Sequence, residues 1–326
     1  MEQKRLRSLE VCAGAGGLAL GLERAGFDPV VVLDNRDVAC ETLRLNRPDW
    51  DVRQMDLLDF DPADDQRVYD VDLLSAGLPR VKSSAATNRP RGSDVELRLL
   101  DATIMLMHGV QPRALLIENV PDLATSDQYL DARKEIAAEL VHLGYSARWL
   151  VVNSSDYRVP QDRKQGVLVA FKDRSADDFE LPPAQGPAPS VGAVLLDSMA
   201  SRGWTQAAEW AAGADRPAPT LVGGSWNRGG PDLGPTGSKR AWEAMGVNGG
   251  TVADFPPPAD FHWDPTAGPA HMVQLTVAQA ALLQGFPADW RFAGGKTKQY
   301  RQVGNASPPP VGHALGLAIR KVLDGH

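Results

Sequence analysis

Strand and helix signals alternate along the first half of this chain, starting with a short apolar strand over residues 8–12. A glycine-rich turn follows that strand, and then a helix that continues to about Glu23. A second buried strand, from Val30 to Leu33, ends at Asp34. Such alternation predicts an α/β fold in which a parallel sheet is covered by helices on both faces. Further strands are predicted at 71–75, 114–117 and 167–171, and further helices at 37–46, 95–109 and 130–143.

The pattern changes after residue 180. Residues 180–270 contain Pro182-Pro183, Pro256-Pro257-Pro258 and paired glycines, and they show few periodic segments. This composition predicts an irregular, smaller lobe. Helical patterns return at 277–283 and 311–323. We therefore divide the chain into a first domain, 1–180, a second lobe, 181–270, and a segment, 271–326, that returns to the first domain.

Composition limits the classes of function. The chain has 34 basic and 41 acidic residues among its 326, a net charge of −7. An acidic total argues against non-specific coating of DNA but leaves room for a local basic face. Only Cys12 and Cys40 are present, and the six histidines show no metal-ligand spacing, so we expect neither a disulfide framework nor a metal site. No apolar run has the length of a membrane span and no signal peptide is evident, so we expect a cytoplasmic protein without a membrane partner.

The turn after the first strand is a candidate ligand site. Its glycines let the backbone pass close to a ligand and open a helix whose amides point toward it. Asp34 ends the second strand, where doubly wound folds bind a ribose hydroxyl pair. Asp56, after a predicted third strand, could accept a hydrogen bond from an adenine amino group. The alternatives are a tight strand-to-helix connection for the turn and a cap or turn residue for each acid.

Five blocks in order then resemble one enzyme family. They are the glycine-turn block Leu9–Leu18; Gly77-Leu78-Pro79; Ile117-Glu118-Asn119-Val120; Pro160-Gln161-Asp162-Arg163; and Gln284-Gly285-Phe286-Pro287 with Tyr300-Arg301-Gln302-Val303-Gly304-Asn305-Ala306. Together they span nearly the whole chain. On these blocks the sequence is similar to the DNA cytosine-5 methyltransferases.

The resemblance implies a Rossmann-like, S-adenosylmethionine-dependent methyltransferase fold with a doubly wound sheet. S-adenosylmethionine or S-adenosylhomocysteine would be the ligand, and the segment near Asn305 would fold back beside the first strand to complete its pocket. The lobe 181–270 resembles a target recognition domain with an entry at 216–224, and double-stranded DNA would lie in the cleft between the lobes. The implied cofactor-binding residues are Ala13, Gly14, Gly16, Gly17, Leu18, Asp34, Asn35, Asp56, Leu57, Gly77, Pro79, Asn305 and Ala306.

Arg80 occupies the position that holds the attacking cysteine in this family. C5 of cytosine is a poor nucleophile, and the family activates it by adding a thiolate to C6. Covalent catalysis of this kind needs a soft nucleophile that is partly ionised near neutral pH. A guanidinium has no lone pair to offer, because it stays protonated below a pKa of about 12. Neither Cys12, at the end of the first strand, nor Cys40, on the helix after Asp34, is a credible replacement.

Other family positions around the site also differ. Val81-Lys82-Ser83-Ser84 replaces the usual continuation of the loop, and Gln165 replaces the last arginine of the Gln-x-Arg-x-Arg block, which would help to hold the target base. Arg158 stands where glycine is usual, and Asp94-Val95-Glu96 lacks the arginine of an Asp-x-Arg sequence. Several changes around one site favour natural divergence over a single engineered inactivation.

Three family residues of the catalytic site are retained. The resemblance gives Glu118 contact with the ring nitrogen of an extruded cytosine, which requires a raised pKa. The alternative is that Glu118 and Asn119 only shape the end of their strand. The role of Arg163 is also undecided between catalytic and structural, because an ion pair with Glu118 would explain its retention.

Positive charge collects in the loop over residues 80–98. Its cations would suit phosphate contacts if this loop closes over DNA, as the resemblance implies, and the alternative is a solvated loop. Arg80 itself could bond a base edge or a phosphate, or fill the old pocket by pairing with Glu118. In the second lobe, Trp204 and Trp210 are predicted in a small core. The loop cations are Arg80, Lys82, Arg89, Arg91 and Arg98, against Asp94 and Glu96, and the candidate DNA contacts of the lobe are Trp226, Asn227, Arg228, Lys239, Arg240 and Trp242.

Three functions remain open from the sequence. The first is a non-catalytic homologue that binds S-adenosylmethionine and DNA and serves as a regulatory or recognition subunit for an active partner. The second is a methyltransferase with altered chemistry on a nucleotide or small metabolite, which would need only positioning and a base such as Glu118. The third is a cytosine-5 methyltransferase carrying an engineered change at Arg80.

Overall fold

A computed structural model of the chain describes residues 4–81, 93–223 and 230–325. These residues form two compact units. The first, here the sheet unit, comprises residues up to Val152 together with Lys164–Pro183 and the C-terminal residues from Val311; the second, here the lobe unit, comprises Asn153–Arg163 and Ala184–Pro310.

The sheet unit is built on a seven-stranded sheet in the order β3-β2-β1-β4-β5-β8-β6. The neighbouring strands from β3 to β5 pair in parallel, and their carboxyl ends therefore share one edge of the sheet. The strands are β1 (Leu6–Val11), β2 (Phe27–Asp34), β3 (Val52–Gln54), β4 (Leu73–Gly77), β5 (Ala114–Asn119), β6 (Tyr145–Asn153) and β8 (Lys164–Lys172).

The predicted parallel pairing is found from β3 to β5, whereas β8 runs antiparallel to β5. Parallel pairing requires a crossover connection, usually a helix. The residues between β6 and β8, 154–163, contain a single short 3₁₀ helix, Ser154–Tyr157, and no crossover helix. The sheet is therefore mixed.

Helices pack against this sheet because its central strands are apolar on both faces. Leu115 and Leu116, whose side chains face opposite sides of the sheet, are both completely buried, as expected for strands covered from both sides. The helices are α1 (Gly17–Arg24), α2 (Asp37–Asn46), α3 (Ser93–Val110), α4 (Pro121–Thr125), α5 (Leu130–His142) and α11 (Pro309–Asp324).

The lobe unit contains more regular structure than its composition predicts. A two-stranded parallel pair joins β7 (Gln161–Asp162) to β9 (Ala218–Pro219). Its helices are α6 (Val191–Ala200), α7 (Ala207–Gly213), α8 (Thr236–Glu243), α9 (Val277–Leu283) and α10 (Lys296–Asn305). Helix α9 was predicted at 277–283, whereas the other four are short helices without the long apolar period that identifies a helix from sequence.

Tryptophans form part of the core of the lobe unit. Trp204 and Trp210 are buried with ring centroids 6.5 Å apart, which confirms their predicted place. Trp242 is also completely buried, so its predicted contact with DNA is wrong: the indole on α8 faces the interior. Trp226, Asn227 and Arg228 lie outside the described residues. Lys239 pairs with Asp232 at 3.1 Å.

A buried carboxyl group sits in the middle of the sheet. Glu10, on β1, is 3% exposed and accepts a hydrogen bond of 2.7 Å from the Ser8 hydroxyl. Burial raises the pKa of Glu10 to about 7, and the hydrogen bond from Ser8 opposes that rise. The folded protein therefore holds a proton on Glu10 at a pH where the unfolded chain has released it.

We expect Glu10→Gln to stabilise the protein at pH 8 by up to about 3 kcal/mol, the free energy of a pKa difference of about 2.5 units. Because the folded pKa is the higher one, the Glu10 contribution is complete below the unfolded pKa and is lost as pH rises through about 7. Urea denaturation of both proteins at pH 5 and pH 8 measures this. The exposed Glu41→Gln on α2 is the charge-matched control, and an unchanged pH dependence in Glu10→Gln would contradict the assignment.

Candidate functional site

The glycine-rich turn follows β1 at the carboxyl edge of the sheet. Gly14 and Gly16 have φ of 55° and 84°, the left-handed region that glycine adopts without strain. The Gly16 amide donates to the Ala13 carbonyl at 3.0 Å, which closes the turn. Helix α1 then begins at Gly17, with Gly16 as an N-cap that offers no side-chain hydrogen bond to the first amides. Those amides stay available to a ligand.

Asp34 anchors the next strand end to this turn. Its carboxylate is 8% exposed and accepts from the amides of Gly14, at 2.8 Å, and Arg36, at 2.9 Å. Burial raises the pKa of Asp34, and the two backbone hydrogen bonds oppose this rise. A carboxylate carries acceptor sites beyond two hydrogen bonds, so Asp34 keeps capacity for a hydroxyl donor.

Asp56 lies near the same edge, two residues after β3. Its carboxylate accepts from the Leu58 amide at 3.0 Å and caps the 3₁₀ helix Leu57–Asp59, as the cap interpretation predicts. The Asn35 amide donates to its second oxygen at 3.5 Å. Leu57 is buried.

The two thiols are unsuited to nucleophilic attack. Burial, followed by the charges of Asp34 and Asp56, raises the pKa of Cys12 to about 12. Burial raises the pKa of Cys40 to about 11. Neither thiol forms appreciable thiolate near neutral pH.

Asn119 holds the backbone on both sides of Arg80. Its side-chain amide donates to the Pro79 carbonyl at 3.1 Å, and its side-chain oxygen accepts from the Val81 amide at 3.0 Å. Gly77 brings this loop close to the glycine turn, since a Cβ there would lie 3.3 Å from the Cys12 carbonyl oxygen. The backbone is therefore held in place on both sides of Arg80.

Three predicted residues come together beside that loop. Glu118, at the end of β5, is 6% exposed, and Gln165, at the start of β8, is 1% exposed. Burial raises the pKa of Glu118, while the charge of Arg80 and a hydrogen bond from Gln165 oppose the rise. Burial likewise lowers the pKa of Arg80, and Glu118 opposes that change. The charge of each group therefore opposes the effect of burial on the other group's pKa.

Arg163 makes its hydrogen bonds within the lobe unit. The guanidinium is 1% exposed and donates to the carbonyls of Leu221 at 2.9 Å, Gly304 at 3.2 Å and Ala306 at 3.0 Å. These bonds account for its burial without an ion pair. Asn305 and Ala306 also belong to the lobe unit, at the end of α10.

Sequence reasoning did not single out two buried glutamines beside Arg163. Gln161 and Gln284 bond each other at 2.7 Å across 123 residues of chain. Gln161 and Gln284 both belong to the quoted family blocks, but their pairing is visible only in three dimensions. Lys82, Arg89 and Arg91 of the cationic loop lie outside the described residues, and Arg98 is exposed.

Within residues 4–81, 93–223 and 230–325, no cluster of three or more His, Cys, Asp or Glu side chains could hold a metal ion. The helices in those ranges are also too short or too polar to cross a membrane.

The family model described as C-5 cytosine-specific DNA methylase matches residues 6–321. Type II methyltransferase M.NaeI of Lentzea aerocolonigenes is 41% identical over 321 residues, which cover 98% of this chain and 76% of that protein. Type II methyltransferase M.NgoMIV of Neisseria gonorrhoeae is 39% identical over 326 residues, 97% of each.

Solved structures show the same fold at low sequence identity. The Entamoeba histolytica methyltransferase EhMeth gives a TM-score of 0.66 at 15% identity, covering 98% of this chain and 99% of that one. The S. pombe Dnmt2 methyltransferase gives 0.62 at 18% identity, covering 97% and 99%. With the family model matching almost the whole chain, this protein belongs to the C-5 cytosine-specific DNA methylase family.

Proposed function

We propose that this chain is a non-catalytic member of its family that binds S-adenosylmethionine or S-adenosylhomocysteine, and double-stranded DNA, without methylating cytosine C5. The observation that carries the proposal is the guanidinium of Arg80 in a loop whose backbone Asn119 holds on both sides. The cofactor turn keeps its glycine conformations and its buried Asp34. The features that would bind the cofactor are therefore present, whereas the side chain that would attack cytosine is absent.

The residues at the sheet edge fit the cofactor. Asp34 would accept from the ribose hydroxyls, Asp56 from the adenine amino group, and the first amides of α1 would face the amino-acid end. When bound, S-adenosylmethionine supplies a sulfonium methyl group. The further cofactor residues proposed are Ala13, Gly14, Gly16, Gly17, Leu18, Asn35, Leu57, Gly77, Pro79, Asn305 and Ala306.

The residues at the family's catalytic positions would have other roles in this chain. Glu118 and Gln165 would contact a base edge if one enters, and Arg80 would neutralise Glu118 rather than add to a pyrimidine ring. A cation beside a carboxylate also suits a DNA phosphate or base edge. We infer a regulatory or recognition role beside an active partner subunit in the cytoplasm. In this role residues 1–180 would hold the cofactor, residues 181–270 would recognise DNA, and residues 271–326 would complete the first domain.

One observation favours a second candidate. Glu118 is buried with a raised pKa, which is the property of a general base. Methyl transfer to an already nucleophilic atom of a nucleotide or small metabolite needs that base and correct positioning, and no thiolate. Release of S-adenosylhomocysteine across a metabolite panel tests this candidate.

Titration calorimetry tests cofactor binding directly. We expect both S-adenosylmethionine and S-adenosylhomocysteine to bind, and Asp34→Ala to weaken binding at least about tenfold, because a charged hydrogen bond contributes about 1.5–3 kcal/mol. The exposed Asp37→Ala on α2 is the control and should bind as the unaltered protein does. Absence of binding by the unaltered protein would contradict the proposal.

A further inference from the structure

A closed ring of buried hydrogen bonds joins two distant segments of the lobe unit. The recognition segment is residues 216–223, the predicted entry of the target recognition domain. The cofactor segment is Asn305–Ala306. Three side chains connect them: Gln161 and Arg163 from the strand β7 region, and Gln284 at the end of α9.

Each step of the ring is a direct contact. The Leu221 amide donates to the Gln161 side-chain oxygen at 2.9 Å, and the Gln161 amide donates to the Gln284 side-chain oxygen at 2.7 Å. The Gln284 amide donates to the Ala306 carbonyl. Arg163 closes the ring, because it donates to that same carbonyl at 3.0 Å and to the Leu221 carbonyl at 2.9 Å.

Solvent does not reach the side chains of the ring, so water cannot replace a hydrogen bond that breaks. Gln161 and Gln284 are completely buried, and Arg163 is 1% exposed. Within the described part of the chain, the Arg163 Nε is buried with no hydrogen-bond partner, so this guanidinium already lacks one bond. Breaking any bond of the ring would leave a further buried polar group unpaired in a low-dielectric interior, and this cost opposes independent movement of its members.

Close backbone contacts beside the ring further restrict movement of the recognition segment. A Cβ on Gly304 would lie 2.3 Å from the Gly223 amide nitrogen, and one on Gly223 would lie 2.4 Å from the Arg301 carbonyl oxygen. The recognition segment therefore packs against the main chain of α10 directly before the cofactor segment, and against the Asn305 side chain. A shift of one segment must either move the other or break buried hydrogen bonds.

We propose that Gln161, Arg163 and Gln284 are positioning residues that make the recognition segment and the cofactor segment respond as one piece, so that cofactor and DNA change each other's affinity. This inference rests on the proposed function, which places a ligand on each segment. Linkage requires the effect to be reciprocal. No bond is made or broken in this step beyond hydrogen bonds of the ring.

The test compares S-adenosylhomocysteine affinity with and without saturating sheared genomic DNA. In the unaltered protein we expect DNA to change that affinity at least about fivefold, the lower end of ordinary coupling between sites. Gln284→Leu should reduce the change to within about twofold, below that range. The substitution leaves the Ala306 carbonyl bonded to Arg163 and the Gln161 amide bonded to the Leu283 carbonyl. Gln284→Met, unbranched like glutamine, is the second variant if the leucine variant folds poorly.

Gln279→Leu is the matched control, because Gln279 is equally buried on α9 but bonds Thr276 and Ser198 outside the ring. It should lose stability while keeping the full effect of DNA. Equal loss of the effect in both variants, or its retention in Gln284→Leu, overturns the positioning role. Binding of cofactor and DNA without mutual effect overturns the inference alone, whereas failure of the unaltered protein to bind S-adenosylhomocysteine overturns the proposed function as well.

Discussion

Arg80→Cys alone is expected to leave cytosine-5 methylation about 100-fold below that of the double variant Arg80→Cys/Gln165→Arg, the cost of a misplaced catalytic group. The single change supplies a thiol but removes the positive charge that faces Glu118. A thiolate beside a carboxylate and without a nearby cation is disfavoured. The double variant moves the cation from position 80 to the buried position 165 and keeps the net charge of the site. Methylation of duplex DNA by labelled S-adenosylmethionine measures both.

Gln165→Arg alone is the control for this pair. It has no thiol and should stay inactive, so any activity of the double variant requires both changes. Full activity of Arg80→Cys by itself would mean that a single change had disabled an otherwise working site, as in an engineered protein, and would contradict natural divergence.

Arg80 and Glu118 are expected to stabilise the fold together by about 1–3 kcal/mol in a double-mutant cycle of Arg80→Met and Glu118→Gln. Glu118→Gln leaves Arg80 without its counter-ion, and Arg80→Met leaves a buried carboxyl group without its cation. Because removing one partner of a buried pair costs more than removing both, the double variant should lose less stability than the sum of the single losses. Chemical denaturation of the four proteins at one pH gives the interaction free energy.

The raised pKa of Glu118 also fixes how the stabilities in this cycle depend on pH. The folded pKa of Glu118 is raised, so its contribution is present at low pH and is lost as pH rises through that value. Arg80 offsets this loss, so the deficit of Arg80→Met relative to the unaltered protein should grow with pH. In the Glu118→Gln background the deficit should be independent of pH. Additivity of the single losses within about 0.5 kcal/mol would show that the two side chains do not interact.

Local patterns in the sequence predicted the elements that have a strong period of their own. Helices α2 (Asp37–Asn46) and α9 (Val277–Leu283) begin and end where the sequence indicates. The acids Asp34 and Asp56 follow their strands as predicted, because parallel strands end at one edge. Strand β6 was not predicted, although it contains the apolar run Trp149-Leu150-Val151-Val152, because its burial follows neither a continuous nor an alternating pattern.

Features that depend on distant contacts were not predictable. The reversal of β8 depends on a connection without a crossover helix, and the glutamine ring joins residues more than 120 positions apart. Arg158 is an intermediate case. Its φ of 60° is a left-handed conformation that costs a side chain roughly 1–2 kcal/mol, which explains why glycine is usual there but not why this chain has arginine.

The most direct test is methyl transfer by the unaltered protein from S-adenosylmethionine, tritium-labelled in its methyl group, to duplex DNA, followed by base analysis. We predict no labelled 5-methylcytosine above the blank from a preparation that binds S-adenosylhomocysteine in calorimetry. Labelled 5-methylcytosine that forms in proportion to the protein, and that an Asp34→Ala preparation does not form, would contradict the account.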